Sequence, residues 1–404
     1  MGRTGSWGTM SDEAFPDPAV DVESIEPNEL KERIDDSEGV FLLDTCSSEA
    51  FEEWHIDEPN VTVRNVPYFE FLLGDVDEEV FDAIPDDRDV TVLCAKGDSS
   101  EYVAGLLAER GYEVRHLARG MNGWAELYES HELAIDADAT IVQYQRASSG
   151  CLSYLVVSGD EAAVVDPLRP FADTYHQDAR TLGAEITAAL DTHIHADHIS
   201  GARRVAAGTD AEAFLPASAA ERGVDDDTAY STIEDGETIA VGETDIEAFH
   251  TPGHTSGMTA YRVGNALFAG DGLFIESVAR PDLEAGAEGT ADAAEQLHET
   301  LHERVLELPD ETIVAPGHFS GNAEADDGTY TARLGDLESR MDALGMDRAA
   351  FVDLVQSDMP PRPSNYEAIV ATNLGEREPT DEEAFALELG PNNCAASQDV
   401  LTSD

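Results

Sequence analysis

The chain has 404 residues, 42% of them apolar, which is enough for two or three domains with sizeable cores. It carries 85 acidic against 23 basic residues, a net charge of −62, and its only lysines are Lys31 and Lys96. Such charge repels phosphates and argues against a nucleic-acid partner, and no run of about 18 apolar residues is present to span a membrane. The acids recur in almost every segment while apolar periodicity persists between them, so the chain reads as folded rather than disordered. Its surface suits concentrated salt, where a Debye length of about 3 Å at 1 M screens self-repulsion. The four cysteines, Cys46, Cys94, Cys151 and Cys394, form no CxxC pair, which argues against a disulfide framework or a zinc knuckle.

Residues 1–20 read as a flexible leader with no secretory signal, with Met10 an alternative start and a cytoplasmic location expected. From 21 to 130 strands alternate with helices. Val40–Asp44 reads as a buried strand, and Ser48–Trp54 as a helix capped by Ser47 or Ser48. Asp89–Cys94 is a second strand, Ser100–Arg110 an amphipathic helix stopped by Gly111, and Tyr112–Leu117 a third strand. The alternation implies an α/β domain with a parallel sheet covered by helices. In DVTVLCAKGDSS, Cys94 closes a strand, a short loop with Gly97 follows, and a helix begins. Loop amides and the helix N-terminus there can cradle an anionic persulfide on the sulfur, helped by Lys96. The alternative is an inert buried cysteine in a binding module.

This region resembles the rhodanese family of sulfurtransferases, with VFLLDTCSSEAFEEWHI similar to the family's opening motif and RGMNGWAE to its closing helix. The resemblance implies thiosulfate sulfurtransferase-type chemistry on Cys94. Three departures stand against it: Cys46 where an arginine is common, Trp54 where a glycine usually precedes the histidine, and Asp98 inside a loop that is less basic than usual. Cys46 reads as structural.

Residues 131–139 read as a linker, 140–345 as a second domain, and 346–404 as a helical extension with a polar tail. The second domain opens with TIVQYQ, CLSYLVV and AAVVDP, the last two joined as a hairpin. Strands are expected at Glu185–Leu190, Ile246–Phe249, Ala260–Val263 and Ala266–Ala269, and helices at Ala172–Leu182, Gly201–Ala207 and Ala291–Glu307. In DTHIHADHISG, His193, His195, Asp197 and His198 crowd one loop after a buried strand. Downstream, His254 (TPGHTSG), Asp271 (FAGDGLF) and His318 (VAPGHFSG) lie at glycine-rich turns, where the backbone can approach a metal closely. Imidazole and carboxylate suit zinc and iron. The alternative, a set of surface histidines, sits badly with five of only twelve histidines falling in these motifs.

THIHADH and the order of the later ligands resemble the metallo-β-lactamase superfamily. That resemblance implies an α+β, four-layer αββα sandwich with a metal at one edge, and Asp166 in VVDP supporting the site from behind. Asp166 alternatively serves only as a strand-end turn before Pro167. Two branches compete. In glyoxalase II-like thioester hydrolases, two Zn(II) would sit on His193, His195 and His254 and on Asp197, His198 and His318, bridged by Asp271. In the persulfide dioxygenase family, a single Fe(II) would take the positions matching His193, His254 and Asp271, leaving the other residues around them to hold water or orient the ligands. GDGLFIESVARPDL, GCLSYLVV and the Ile-Ser-Gly after His198 favour the dioxygenase. Arg280 would then bind a substrate carboxylate, or alternatively pair with Asp282. After His318, Phe-Ser-Gly replaces the Asp-Tyr of eukaryotic members. A diiron flavoprotein arrangement is excluded by His195. Cys151 in the hairpin reads as a buried core cysteine, the alternative being a place near the metal pocket, and no role is inferred for Cys394.

The two resemblances imply one expectation: an iron-dependent oxidation of a small thiol persulfide with O2 to sulfite and free thiol, coupled to sulfur transfer on Cys94. The rivals are zinc thioester hydrolysis and a non-catalytic sulfur carrier or sensor. The acidity resembles that of proteins from extreme halophiles. Whether the chain forms a homodimer is left open.

Overall fold

A computed structural model describes residues 20–396 except 37–38, 59, 73–77, 83, 226–228, 321–322, 324 and 358. The expected leader, Met10 included, and the end of the tail lie outside the described residues apart from Val20 and 391–396. The chain divides into two units. The first runs to Tyr128 and adds Arg146–Ser149 and Leu389–Pro391, and the second holds the remainder.

The first unit is built on a five-stranded sheet in the order Ser24–Ile25, Val114–Leu117, Val90–Leu93, Val40–Asp44, Val61–Asn65. Every pairing in it is parallel. The central strands Val40–Asp44 and Val90–Leu93 are buried throughout, which is why both read as continuous apolar runs rather than alternating ones. Ser47 caps the helix Ser48–Glu53 by accepting a hydrogen bond from the Ala50 N–H at 3.3 Å. The helix after Cys94 is Asp98–Glu109, starting two residues before the expected position because Asp98 and Ser99 form its first turn.

The second unit carries two sheets. One has seven strands in the order Ser231–Ile233, Glu212–Pro216, Glu185–Leu190, Glu161–Val165, Cys151–Ser158, Thr140–Arg146, Glu129–Leu133. The other has six, Thr238–Val241, Thr244–His250, Thr259–Val263, Ala266–Gly270, Ile313–Pro316, Ala332–Arg333. A shared core, with Leu152, Tyr154, Val165 and Leu190 from the first sheet and Ile246, Tyr261, Val263 and Phe268 from the second, packs their faces together. Tyr154 stacks on Phe268 with ring centroids 4.7 Å apart. On the outer face of the six-stranded sheet, Leu267, Ala269 and Val314 pack with Ala294, Leu297 and Leu301 of the long helix Asp282–Thr300 and its π-helical continuation Leu301–Val305. Ala172–Thr181 lies against the seven-stranded sheet, where Tyr175 meets Tyr144 edge to face at 5.0 Å.

Two expectations are corrected. Residues 131–139 are not wholly a linker: Glu129–Leu133 pairs antiparallel with Thr140–Arg146 as an edge strand, its burial alternating along the charged sequence ESHEL. The helix expected from Ala291 lies within Asp282–Thr300, which is two helices meeting at Gly286, whose φ of +63° and ψ of −177° are non-helical, so helical backbone precedes Ala291 on both sides of that break. Beyond 345 helices follow, and Phe351 and Val355 of Arg348–Ser357 enter the same core as Leu297. No helix among the described residues is long and apolar enough to cross a membrane.

Candidate functional site

The second unit gathers the expected ligands at the carboxyl ends of its strands. His193, His195, Asp197 and His198 occupy the loop after Glu185–Leu190. His254 lies in the loop between Thr244–His250 and Thr259–Val263. Asp271 follows Ala266–Gly270 directly, and His318 follows Ile313–Pro316 by two residues. All seven are buried. Two close approaches need glycine. A Cβ on Gly317 would lie 2.6 Å from Asp271 Oδ1, and one on Gly270, at φ +50°, would lie 2.6 Å from Thr192 Oγ1.

Hydrogen bonds set which ring nitrogen each histidine presents. Asp166, at a φ of +49°, accepts from the Thr192 N–H at 2.7 Å and from Thr192 Oγ1 at 2.9 Å. With its proton spent there, Thr192 Oγ1 accepts from His193 Nδ1 at 2.9 Å, so His193 offers the lone pair of Nε2. His254 donates from Nδ1 to the Arg280 carbonyl at 2.8 Å and likewise offers Nε2. These two nitrogens lie 3.7 and 3.6 Å from Asp271 Oδ2. The ligand-type atoms of His193, His254 and Asp271 all lie within 4.8 Å of one another. Neither His193 Nε2 nor Asp271 Oδ2 has a hydrogen-bond partner among the described residues. Buried polar atoms left unpaired at one point are costly unless a cation joins them, so the donor set fits a metal ion.

The remaining residues are engaged differently. His195 donates from Nε2 to Asp166 Oδ1 at 3.0 Å, and its Nδ1 has no hydrogen-bond partner among the described residues. His318 is clamped between two carboxylates, with Nδ1 2.6 Å from Asp271 Oδ1 and Nε2 2.7 Å from Asp197 Oδ2. His198 Nδ1 reaches the same Asp197 oxygen at 3.0 Å. The charges follow. Burial, then His195, pushes His193 well below the ordinary histidine value. Burial works the same way on His318, but Asp271 and Asp197 overcome it and raise it well above. Burial would raise Asp271, but His318, then His193 and His254, hold it below the usual carboxylate range.

Cys151 is not simply a core residue. Its Sγ donates to Asp197 Oδ2 at 3.2 Å and groups with Asp197, His198 and His318. Cys394 reaches the site too, grouped with Asp197, Asp271 and His318. For Cys151 this is the alternative its hairpin position offered, and its backbone forms an antiparallel bridge with His318; nothing in the spacing of Cys394 announces its place. Arg280 points away from a substrate role. It is 1% exposed, donates to both Asp282 oxygens at 2.8 and 3.2 Å, and its third nitrogen serves the Pro361 and Asn393 carbonyls. That geometry fits the ion pair weighed beside carboxylate capture.

In the first unit, Cys94 sits 4% exposed at the end of Val90–Leu93. The Gly97 N–H donates to its sulfur at 3.1 Å, and Ser100 Oγ lies 3.4 Å away. Lys96 is exposed in the same loop. Cys46 is half-buried, with burial and Asp44 pushing its thiol up.

Residues 148–318 match the family model of the metallo-beta-lactamase superfamily, and residues 26–127 match that of the rhodanese-like domain. The mitochondrial persulfide dioxygenase ETHE1 of Bos taurus is 31% identical over 174 residues, 41% of this chain and 63% of that protein. A hydroxyacylglutathione hydrolase of Rhodospirillum rubrum is 33% identical over 193 residues, 46% of this chain and 65% of that protein. The chain thus spans just under two thirds of the length of each. The probable metallo-hydrolase YqgX of Bacillus subtilis is 30% identical over 183 residues, 41% of this chain and 83% of that protein. With its ligand-bearing loops at the strand ends of a two-sheet sandwich and these relatives, the chain belongs to the metallo-beta-lactamase superfamily and carries a rhodanese-like domain ahead of the metallo-beta-lactamase one.

Proposed function

We propose that the chain is an iron-dependent persulfide dioxygenase, converting a small thiol persulfide, dioxygen and water into the free thiol, sulfite and two protons. The observation that carries this reading is the division of labour among the ligands. His193 and His254 turn their lone pairs toward the free oxygen of Asp271, whereas both ring nitrogens of His318 are taken by carboxylates. Two histidines and one carboxylate form a facial set that leaves positions open. A bound iron would supply the redox chemistry that lets dioxygen react with sulfur. Thr192 and the Arg280 carbonyl hold the two imidazoles in the ligating tautomer, and His318 steadies Asp271 through its other oxygen. Cys94, facing the Gly97 amide, would carry sulfane sulfur to or from the small thiol.

A second reading, dinuclear zinc thioester hydrolysis, is favoured by the nearness of Asp197, His198 and His318 to the same site and by an equally similar hydroxyacylglutathione hydrolase. Oxygen uptake with a small-molecule persulfide, in iron-loaded protein and molar potassium chloride, separates the two. Uptake with sulfite formation that is lost in His254→Ala supports the dioxygenase. No uptake, with thioester cleavage by zinc-loaded protein, moves the chain to the hydrolase reading.

A further inference from the structure

We infer that Asn373, on a helix near the C-terminus, is a positioning residue of the metal site, assisted by Glu388. This rests on the reading of His193–His198 as the metal-binding loop. Asn373 lies on Tyr366–Asn373 and is 2% exposed. Its amide nitrogen donates to the carbonyls of His195 and His198, both at 2.9 Å, and its amide oxygen accepts from the Ser200 N–H, also at 2.9 Å. One side chain therefore ties three backbone groups across six residues of the loop. Glu388 Oε1 accepts the intervening Ile199 N–H at 2.9 Å, and Ile199 packs with Ile369 and Ala384 of the C-terminal helices. The loop closes on its own side through Ser200 Oγ, which donates to both Asp191 oxygens at 2.7 Å.

A loop of this kind has no ladder of its own to satisfy its backbone, so its buried groups must find partners elsewhere. The Asn373 carboxamide supplies two donors and an acceptor in one plane, and few other side chains offer that combination. By fixing the carbonyls of His195 and His198 it fixes where those two rings and Asp197 between them can point. Asp in its place would keep the acceptor but set a carboxylate against two carbonyl oxygens.

The test uses the full chain with Co(II) as probe, reading the visible spectrum and the affinity by chelator competition. Asn373→Asp and Glu388→Ala should each weaken Co(II) binding by roughly 10–100-fold, the range for partners that orient ligands, and shift the visible bands. Glu388→Gln keeps the accepting oxygen and should restore the wild-type spectrum. Ile369→Val loosens the same helix without touching a polar group, so it should lower the thermal midpoint and leave the spectrum unmoved. Wild-type affinity and bands in folded Asn373→Asp and Glu388→Ala would overturn the inference, as would an equal shift in Ile369→Val. If Asn373→Asp does not fold, Glu388→Ala decides; if neither folds, both residues serve folding alone and the inference falls. A wild-type chain that takes up no Co(II) would instead overturn the metal site itself.

Discussion

Cys94 and Asp271 each follow directly on a buried strand, Val90–Leu93 and Ala266–Gly270, but they are held in different ways. Around Cys94, both hydrogen-bonding partners of the sulfur, the Gly97 amide and Ser100 Oγ, come from the next six residues. Around Asp271, the partners His193, His254 and His318 come from three other loops. A sulfur site written into one strand–loop–helix turn depends on local conformation. A metal site gathered from four loops depends on the packing of the whole unit, so disturbances far from it in sequence can reach it.

The largest test of that contrast is Asp271→Ala. Metal content measured by elemental analysis should fall by more than the roughly 10–100-fold that orienting partners cost, while sulfur transfer from thiosulfate through Cys94 persists. Loss of both activities would break the independence of the two sites. Next in size is Arg280→Ala. Removing one partner of a buried ion pair costs about 3–5 kcal/mol, and Arg280 is 1% exposed against Asp282. Denaturation in molar salt should show that loss; unchanged stability with a raised KM for persulfide would restore the carboxylate-binding role. Cys94→Ser is a selective change: sulfur transfer disappears while metal content and oxygen uptake with a small persulfide stay at wild-type levels. A parallel loss of uptake would make Cys94 an obligatory sulfur donor.

The smallest effect belongs to Asp235, which pairs with Arg304 at 2.9 and 3.1 Å and accepts the His250 N–H at 2.8 Å. Burial raises its carboxyl, but the Arg304 hydrogen bonds, the His250 amide and the Arg304 charge together outweigh that and lower it. A lowered folded value means stability that is present above the unfolded value of about 3.9 and lost as pH falls through the folded one. Asp235→Asn should therefore flatten the acid limb of the urea midpoint below about pH 4. The change should be slight, because the pair is half-exposed and salt screens it.

Legibility followed the same divide. Val40–Asp44 and Glu185–Leu190 could be read at their true ends because a buried strand is a local apolar run. The ligand loops were legible because histidine is scarce and each ligand adjoins a turn. Glu129–Leu133 was not, because an edge strand facing solvent keeps its charges and gains its strand character only from pairing with Thr140–Arg146. The short helical stretch from Asp282 was not legible, because Gly286 breaks the backbone between it and the helix that carries Ala291. Cys151 was legible only as an alternative, from its place at the start of the hairpin, while Cys394 and Asn373 could not be assigned to the site from spacing, since each arrives there by tertiary packing.

The support of the ligand loop by Asn373 also bears on the order of synthesis. His195 and Asn373 are 178 residues apart in the chain, and chains emerge from the ribosome amino end first at about 5–20 residues per second. The rhodanese-like domain, with its sulfur site complete in itself, is free to fold while the rest is being made. The ligand-bearing loop leaves the ribosome before Asn373 does and acquires that brace only once the intervening residues have been translated. Metal capture in the braced geometry thus waits on residues made well after the ligand loop, and a chain truncated before Asn373 would carry the histidines without the hydrogen bonds it gives to the His195 and His198 carbonyls.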